Sequence, residues 1–273
     1  MSNPVPRNDP PDANDVRSVW EANAKFWDGY FKEGNEFHDR LVRPAAELLL
    51  RLSPGEHVLD IACGNGAFSR QMANRGVRVT AFDFSQSFID CARARSASHA
   101  GRIEYRTLDA TNADDLASLG TATYDAAVCN MALMDMSDID PLAESIRRLL
   151  KTGGRFVFTI MHPCFNHAGS HLFVEEEPNE DGFRVVAGVR ITRYMSDFSS
   201  KGIGIRGQPV PQYYFHRPLH ALLAPFLARG LAMTGLVEKS FAGQPDVRPT
   251  PSWDHVPEIP AVLGVRLDRI AGS

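Results

Sequence analysis

The sequence predicts an α/β fold in which a parallel sheet is covered by helices on both faces. Two observations carry this prediction: short apolar runs alternate with helical segments, and a glycine-containing turn follows the first of these runs. Strands are expected at residues 57–61, 77–82, 102–106, 124–129 and 155–160, and helices at 66–75, 85–99, 112–118 and 140–151. At 273 residues, of which 44% are hydrophobic, the chain is long enough for one large core.

Two helices are expected before the first strand. The first begins at Asn14 or Asp15, either of which can cap it, and the second covers residues 37–51. Residues 1–15 contain four prolines and few apolar side chains, so we expect a disordered tail there. Asp140 precedes a proline and is expected to cap the helix that follows the fourth strand.

The alternation of strands and helices stops after the fifth strand. Residues 162–217 are rich in glycine, charged and aromatic side chains and contain no regular βα unit. A helix at 218–229 and strands at 236–241 and 261–268 close the chain. Since ligands bind at the carboxyl ends of the strands in open α/β sheets, we expect the inserted segment to be a substrate lid. A loop without a function is the alternative.

The turn after the first strand, Cys63-Gly64-Asn65-Gly66, has the chemistry of a nucleoside-binding turn. Gly64 and Gly66 let the backbone approach a ligand where a Cβ atom would collide. The helix that follows directs free N–H groups toward the same place. The next strand ends at Asp83, which can accept hydrogen bonds from ribose hydroxyls.

The pattern Leu59-Asp60-x-x-x-Gly64-x-Gly66 resembles motif I of the class I S-adenosylmethionine-dependent methyltransferases. Four further segments resemble that family in the same order, at residues 83–85, 108–110, 124–132 and 149–156. The chain is most similar to the small-molecule type, in the group of ubiquinone- and menaquinone-biosynthesis methyltransferases. The resemblance implies a doubly wound, mostly parallel, seven-stranded Rossmann-like sheet with an antiparallel last strand. It also implies a methyltransferase domain over residues 16–273, with 162–217 as a lid insertion.

The same resemblance implies S-adenosyl-L-methionine as cofactor and assigns its contacts. Asp60 would orient the glycine turn and meet the amino end of the methionine, and Asp109 would accept from the adenine amino group. Asp109 could instead cap a helix. Phe88 could pack on the adenine or simply in the core. The cofactor-binding residues expected are Tyr30, Asp60, Ala62, Cys63, Gly64, Asn65, Gly66, Asp83, Phe84, Phe88, Asp109, Ala110, Asn130 and Met131.

Two histidines are candidates for a general base. His162 follows the fifth strand and His216 precedes the last crossover helix, so both are expected at the ligand edge of the sheet. Each could instead hydrogen-bond to local backbone groups at a turn. A metal site built from His162, His167 and His171 is not expected, because the loop offers no acids or cysteines at recognisable intervals.

Composition and charge indicate which binding partners and which cellular compartment to expect. The net charge of −4 gives no reason to expect nucleic acid or an anionic membrane surface as a partner. Four cysteines without a C-x-x-C pair indicate reduced thiols in a cytoplasmic protein. We find no signal peptide and no apolar run of about 18 residues that could span a bilayer. The patterns leave the oligomeric state open.

The sequence therefore predicts methyl transfer from S-adenosylmethionine to a small-molecule acceptor, with O- or N-methylation favoured. The run Asn130-Met131-Ala132-Leu133 lacks the prolines and the aromatic residue found in many methyltransferases that act on nucleobases. A non-catalytic cofactor-binding regulator is one alternative. A nucleotide-dependent oxidoreductase is another, although Ser69 stands where the dinucleotide fingerprint has its third glycine.

Overall fold

The computed structural model describes residues 11, 13–241 and 251–270, which hold seven α-helices and eleven strands. The helices are α1 Ala13–Phe31, α2 Arg43–Leu50, α3 Ala67–Asn74, α4 Gln86–Arg95, α5 Ala113–Ala117, α6 Asp140–Leu149 and α7 Leu219–Ala228. The first six strands are β1 His57–Ile61, β2 Arg78–Asp83, β3 Ile103–Thr107, β4 Tyr124–Asn130, β5 Leu150–Met161 and β6 Ser170–Asn179. The other five are β7 Gly182–Ile191, β8 Phe198–Gly202, β9 Gln212–His216, β10 Leu231–Lys239 and β11 Val262–Arg269.

The central sheet has seven strands in the order β10-β11-β5-β4-β1-β2-β3. Strands β1 to β5 run parallel, and β11 runs antiparallel to both β5 and β10. The predicted mostly parallel sheet with an antiparallel last strand is thus confirmed. Because β1 and β4 are neighbours whose crossovers leave in opposite directions, their carboxyl ends form the crevice where ligands bind in such sheets.

Each face of the sheet has its own core, since successive side chains of a strand point to opposite faces. Leu59 and Ile61 pack with Phe156 on the face covered by α6 and α7, while Val58 packs with Met72 on the face covered by α2, α3 and α4. All of these side chains are 1% exposed or less. The strand ends at the crevice are therefore held rigidly.

Several local boundaries differ from those expected; β5 and β10 begin at Leu150 and Leu231, before the expected residues 155 and 236, and α4 ends at Arg95, before the expected residue 99. Helix α1 begins at Ala13, inside the range predicted as a tail, and residues 1–10 and 12 lie outside the described residues. The second helix starts as a π-helical turn, His38–Val42, because Pro44 near the start of α2 has no N–H for an α-helical bond. Asp140 is the first helical residue and not the cap; its N–H donates to the Asp138 side chain at 2.8 Å.

The segment 162–217 folds as two antiparallel pairs, β6–β7 and β8–β9. No strand had been expected in this segment, because turn residues and charges interrupt its apolar pattern. Strand β9 packs against α1 and against the 3₁₀ turn Leu133–Asp135, which follows β4. This contact places β9 beside the crevice. None of the helices in the described ranges is long and apolar enough to cross a membrane.

Candidate functional site

The glycine turn after β1 is built from residues with positive φ. Ala62 has φ +55°, Gly64 +55° and Gly66 +74°, and the Cys63 N–H donates to the Phe82 carbonyl at 2.9 Å. A Cβ added to Gly64 would meet no protein atom within 4 Å, whereas one added to Gly66 would overlap the Tyr105 hydroxyl. Gly64 therefore borders open space, and Gly66 allows α3 to pack closely on the sheet.

Two buried carboxyl groups lie behind this turn. Asp83 accepts the N–H groups of Gly64 and Ser85, each at 3.0 Å, and Asp60 accepts the Ser69 hydroxyl. Burial raises the pKa of Asp60 to about 7 and that of Asp83 to about 6, since an ionised carboxylate there loses its hydration. The Asp83 charge raises the pKa of Asp60 further. A cationic ligand bound beside Asp60 and Asp83 would stabilise the ionised forms of these two carboxyl groups.

These two carboxyl groups make the stability of the ligand-free protein depend on pH. A carboxyl whose folded pKa is raised contributes stability below its unfolded pKa, and that contribution is lost as pH rises through the folded value. For Asp60 and Asp83 this loss of stability runs from about pH 4 to about pH 7.

Between pH 5 and pH 8, the free energy of unfolding of Asp60→Asn, measured in urea titrations, should therefore fall less than that of wild type. Asp90→Asn, at an exposed position of α4, should lose as much as wild type, and an equal loss in Asp60→Asn would contradict the assignment.

The predicted adenine end of the site is held by α1. Asp109 accepts from the Thr111 N–H at 2.8 Å and from the Arg17 guanidinium at 3.0 Å. Arg17 also lies over the Phe84 ring, 5.8 Å from its centre. Asp109 does not cap α5. The cap is Asn112, whose side chain accepts two N–H groups at the start of that helix. Asp109 thus positions the segment that borders the first cavity.

Two adjoining cavities lie at the carboxyl ends of the strands. The first, of about 160 Å³, is lined by nine predicted residues: Ala62, Gly64, Asp83, Phe84, Phe88, Asp109, Ala110, Asn130 and Met131. The second, of about 640 Å³, adds the predicted residues Tyr30, Asp60, Cys63 and Asn65. Gly66 lines neither. The structure therefore brings thirteen of the fourteen predicted cofactor residues to one continuous space.

The two cavities share a wall, and the rest of the second cavity's lining contains eight aromatic side chains. The shared residues are Trp20, Ala62, Gly64, Phe88, Asn130, Met131 and Asp135. The aromatic side chains of the second cavity alone are Trp27, Tyr30, Phe31, Phe37, Phe68, Tyr214, Phe241 and Trp253. Apolar walls with a few polar groups are typical of small-molecule sites.

Four buried polar atoms in this space have no hydrogen-bond partner within the described part of the chain. They are Asn130 Nδ2, Asp135 Oδ1, Gln212 Oε1 and Trp27 Nε1. Gln212 is only 3% exposed. The Asn130 amide is oriented by its oxygen, which accepts the Thr159 hydroxyl at 2.9 Å. Buried polar groups are nearly always paired, so these four mark the place of a polar ligand.

Sequence reasoning missed Asp135 and Gln212. Asp135 is the one acidic residue in the otherwise apolar run Met131–Met136, and that contrast was the available signal. Gln212 belongs to the inserted segment 162–217, where no pattern distinguished it from its neighbours. Both side chains become site residues only through packing of β9 on the turn after β4.

The two candidate histidines lie outside this space. His162 bonds Glu238 through Nε2 at 2.9 Å and accepts the Cys164 N–H through Nδ1 at 3.2 Å. His216 Nε2 bonds the Tyr194 carbonyl at 2.7 Å. Burial lowers the pKa of both imidazoles. Neither histidine is among the described residues that line the two cavities.

The chain is similar in sequence to known methyltransferases. Residues 58–154 match the family model for a methyltransferase domain. A ubiquinone biosynthesis O-methyltransferase of Xanthomonas oryzae pv. oryzae is 32% identical over 108 residues, 40% of this chain and 44% of the relative. One from Alkalilimnicola ehrlichii is 27% identical over 162 residues, 59% of this chain and 63% of the relative. The chain thus spans about half of the length of these curated relatives.

Solved structures share the fold at low sequence identity. An S-adenosylmethionine-dependent methyltransferase from Mesorhizobium loti superposes with a TM-score of 0.61 at 23% identity, over 83% of this chain and 96% of the other. The 1,6-didemethyltoxoflavin-N1-methyltransferase of Burkholderia thailandensis superposes with a TM-score of 0.57 at 14% identity, over 99% and 93% of the two chains. The fold is that of the S-adenosylmethionine-dependent methyltransferases.

Proposed function

We propose that this chain, which carries a methyltransferase domain in the class I S-adenosylmethionine-dependent fold, transfers a methyl group from that cofactor to a small-molecule acceptor. One observation supports this function above the others: a cleft behind a glycine turn opens directly into a larger aromatic cavity. A cofactor site and an acceptor site that share a wall are what a direct transfer between two bound molecules requires.

The residues of the first cavity fit the proposed cofactor. Asp83 would accept from the ribose hydroxyls, because each carboxylate oxygen can accept more than the one backbone N–H it now receives. The open space beside Gly64 would receive the chain of the methionine. Asp60 and Asp83 form an acidic environment that suits a ligand carrying both an ammonium and a sulfonium.

When bound, the cofactor supplies a sulfonium methyl that is already a good electrophile. The chain must then hold the acceptor in line with the methyl group and exclude water. Asn130 and Met131 would border the methyl group, since both line the shared wall. Tyr214 of β9 would close the second cavity from the lid side.

Features of the chain support a small acceptor and a cytoplasmic enzyme as parts of the proposal. The net charge of −4 argues against a polyanionic substrate such as nucleic acid. The second cavity, of about 640 Å³, is in the range of small-molecule sites. The cysteine spacing suits a reducing compartment.

The test is direct. The protein is titrated with S-adenosylhomocysteine by calorimetry and then incubated with methyl-labelled cofactor and a panel of phenols, amines and carboxylic acids. Binding with label transfer to one class supports the proposal. Binding without transfer to any acceptor class favours the cofactor-binding regulator, and no binding contradicts the proposed function.

The histidine bases predicted from sequence can be checked with the same assay. A general base in this position would be worth about 10²-fold or more in turnover. Because neither His162 nor His216 lines the first or the second cavity, we expect His162→Gln and His216→Gln to keep wild-type cofactor affinity and turnover. A drop of that size in either variant, with cofactor affinity retained, would restore the histidine mechanism.

A further inference from the structure

We propose that Asp135 is the proton acceptor for the acceptor's O–H or N–H group, and that the sulfonium of the bound cofactor keeps its carboxyl ionised. This inference rests on the proposed function. Asp135 lies in the 3₁₀ turn Leu133–Asp135, directly after β4, and it lines both cavities at their shared wall. That wall is where the methyl group would meet the acceptor.

The Asp135 carboxyl is held in place but left unpaired. Leu133 and Met134 are buried in the core on the same turn. The Arg217 guanidinium donates to the carbonyls of Met136 and Ser137, each at 2.8 Å, and to that of Leu133 at 3.3 Å. Asp135 Oδ1 has no hydrogen-bond partner in the described part of the chain. The turn thus carries a carboxyl group that belongs to a residue lining both cavities and that has one unpaired oxygen.

Apart from the Arg217 guanidinium that holds the turn, the charged groups around Asp135 are acidic. Burial and the Asp83 charge raise the pKa of Asp135 well above its usual range. The charge of Asp135 in turn adds to the effect of burial on the pKa of Tyr214, which is also raised. Other titratable or charged groups that border the two cavities or hold the turn are Tyr30, Glu36, His38, Asp60, Cys63, Asp109, Asp254 and Arg217.

No described cation forms an ion pair with Asp135, because the Arg217 guanidinium is directed at backbone carbonyls of the turn. In the ligand-free protein, burial and the lack of an ion pair therefore favour the protonated form of this carboxyl. A positive charge within a few ångströms lowers a carboxyl pKa by about 1–3 units. A sulfonium at the shared wall supplies that charge, so cofactor binding releases the proton and produces the base.

The proposed step balances in atoms and charge. A lone pair on the acceptor oxygen or nitrogen forms the new bond to the methyl carbon, and the carbon–sulfur bond breaks with its electrons passing to sulfur. The acceptor's O–H or N–H bond breaks and its proton moves to Asp135 Oδ1. The products are the methylated acceptor, neutral S-adenosylhomocysteine and a protonated Asp135. Loss of the sulfonium charge then favours the protonated carboxyl.

The same polar groups define the acceptor's chemistry. Asn130 Nδ2 can donate one hydrogen bond and Gln212 Oε1 can accept one, in a cavity with many aromatic side chains in its lining. An acceptor that is already anionic would be repelled by ionised Asp135. The site therefore suits a neutral, flat molecule in which the reacting O–H or N–H group has a hydrogen-bond acceptor beside it.

The test compares the cationic and neutral forms of the cofactor. Calorimetry of S-adenosylmethionine and S-adenosylhomocysteine, in buffers of different ionisation enthalpy from pH 5.5 to 8.5, counts the protons released on binding. Protons linked to Asp60 and Asp83 through the shared parts of the two ligands cancel in the comparison. Wild type should release close to one proton more with the sulfonium form, within a window of pH.

Asp135→Asn should bind both ligands and lose the difference in proton release. Its preference for the sulfonium form should fall by roughly tenfold for each unit of pKa shift that is lost. Asp138→Asn is the matched control, because Asp138 is exposed and asparagine keeps the oxygen that accepts the Asp140 N–H. The control should behave as wild type.

An Asp135→Asn protein with wild-type proton release and wild-type ligand preference would overturn the inference. If that variant does not fold, the wild-type comparison decides: equal proton release by the two ligands at every pH overturns it. Failure of the proposed function has a different signature, since neither ligand would then bind wild type.

Discussion

Gly64→Val is expected to abolish S-adenosylhomocysteine binding while the protein stays folded. The new side chain would project into space that no protein atom occupies within 4 Å, so the core is not disturbed. That space is where the methionine part of the cofactor would lie. Valine at φ +55° adds backbone strain of about 1–3 kcal/mol, which a domain of this size can tolerate. Calorimetry and circular dichroism together give the result.

Gly55→Val is the control that separates the effect of backbone strain from that of a side chain blocking the cofactor site. Gly55 also has positive φ, +88°, and open space at its Cβ, but it lies in the turn before β1, away from both cavities. The control should lose a similar amount of stability and keep full affinity. Normal binding by Gly64→Val would mean that the glycine serves only the turn.

Asp83→Ala is expected to weaken S-adenosylhomocysteine binding at least about tenfold. Loss of a charged hydrogen-bond acceptor costs about 1.5–3 kcal/mol, and here the same carboxylate also fixes the Gly64 N–H. The ligand can be varied to separate these effects. Wild type should bind adenosine more tightly than 2′-deoxyadenosine, and Asp83→Ala should bind the two alike.

Asp90→Ala, on the exposed side of α4, is the control for a general loss of acidic charge. It should keep wild-type affinity for both nucleosides. Unchanged affinity in a folded Asp83→Ala protein, or a 2′-hydroxyl preference that survives the substitution, would remove Asp83 from the ribose site.

Local sequence was enough to predict the parallel part of the fold. The first strand was expected at residues 57–61, as observed, and the following three begin within one residue of their expected positions. Buried strands of a parallel sheet are continuous apolar runs, so they stand out from the helices between them. The hairpin β6–β7 gave no comparable signal, because its strands mix charged and apolar residues, and strands β8 and β9 have only five residues each.

The candidate site also has residues that could be predicted from the sequence and residues that could not. The residues of the glycine turn and Asp83 could be predicted because their roles depend on backbone position at consecutive strand ends. Asp135 could not, since its role depends on which way a 3₁₀ turn points the side chain. His162 follows a strand end as expected, yet its ring turns toward Glu238 of β10 and away from the cavities. Side-chain direction after a strand is set by tertiary packing.

The hydrogen bonds of Arg217 affect how the acceptor would enter the site and the product would leave it. Arg217 directly follows β9, so the hydrogen bonds that fix the turn after β4 also tether the base of the inserted segment. Swinging β9 outward would break these bonds and displace Asp135 with it. Exchange of acceptor and product should therefore not depend on movement of β9, and the turnover rate should be insensitive to shortening of the β6–β7 tip, whose residues line neither cavity.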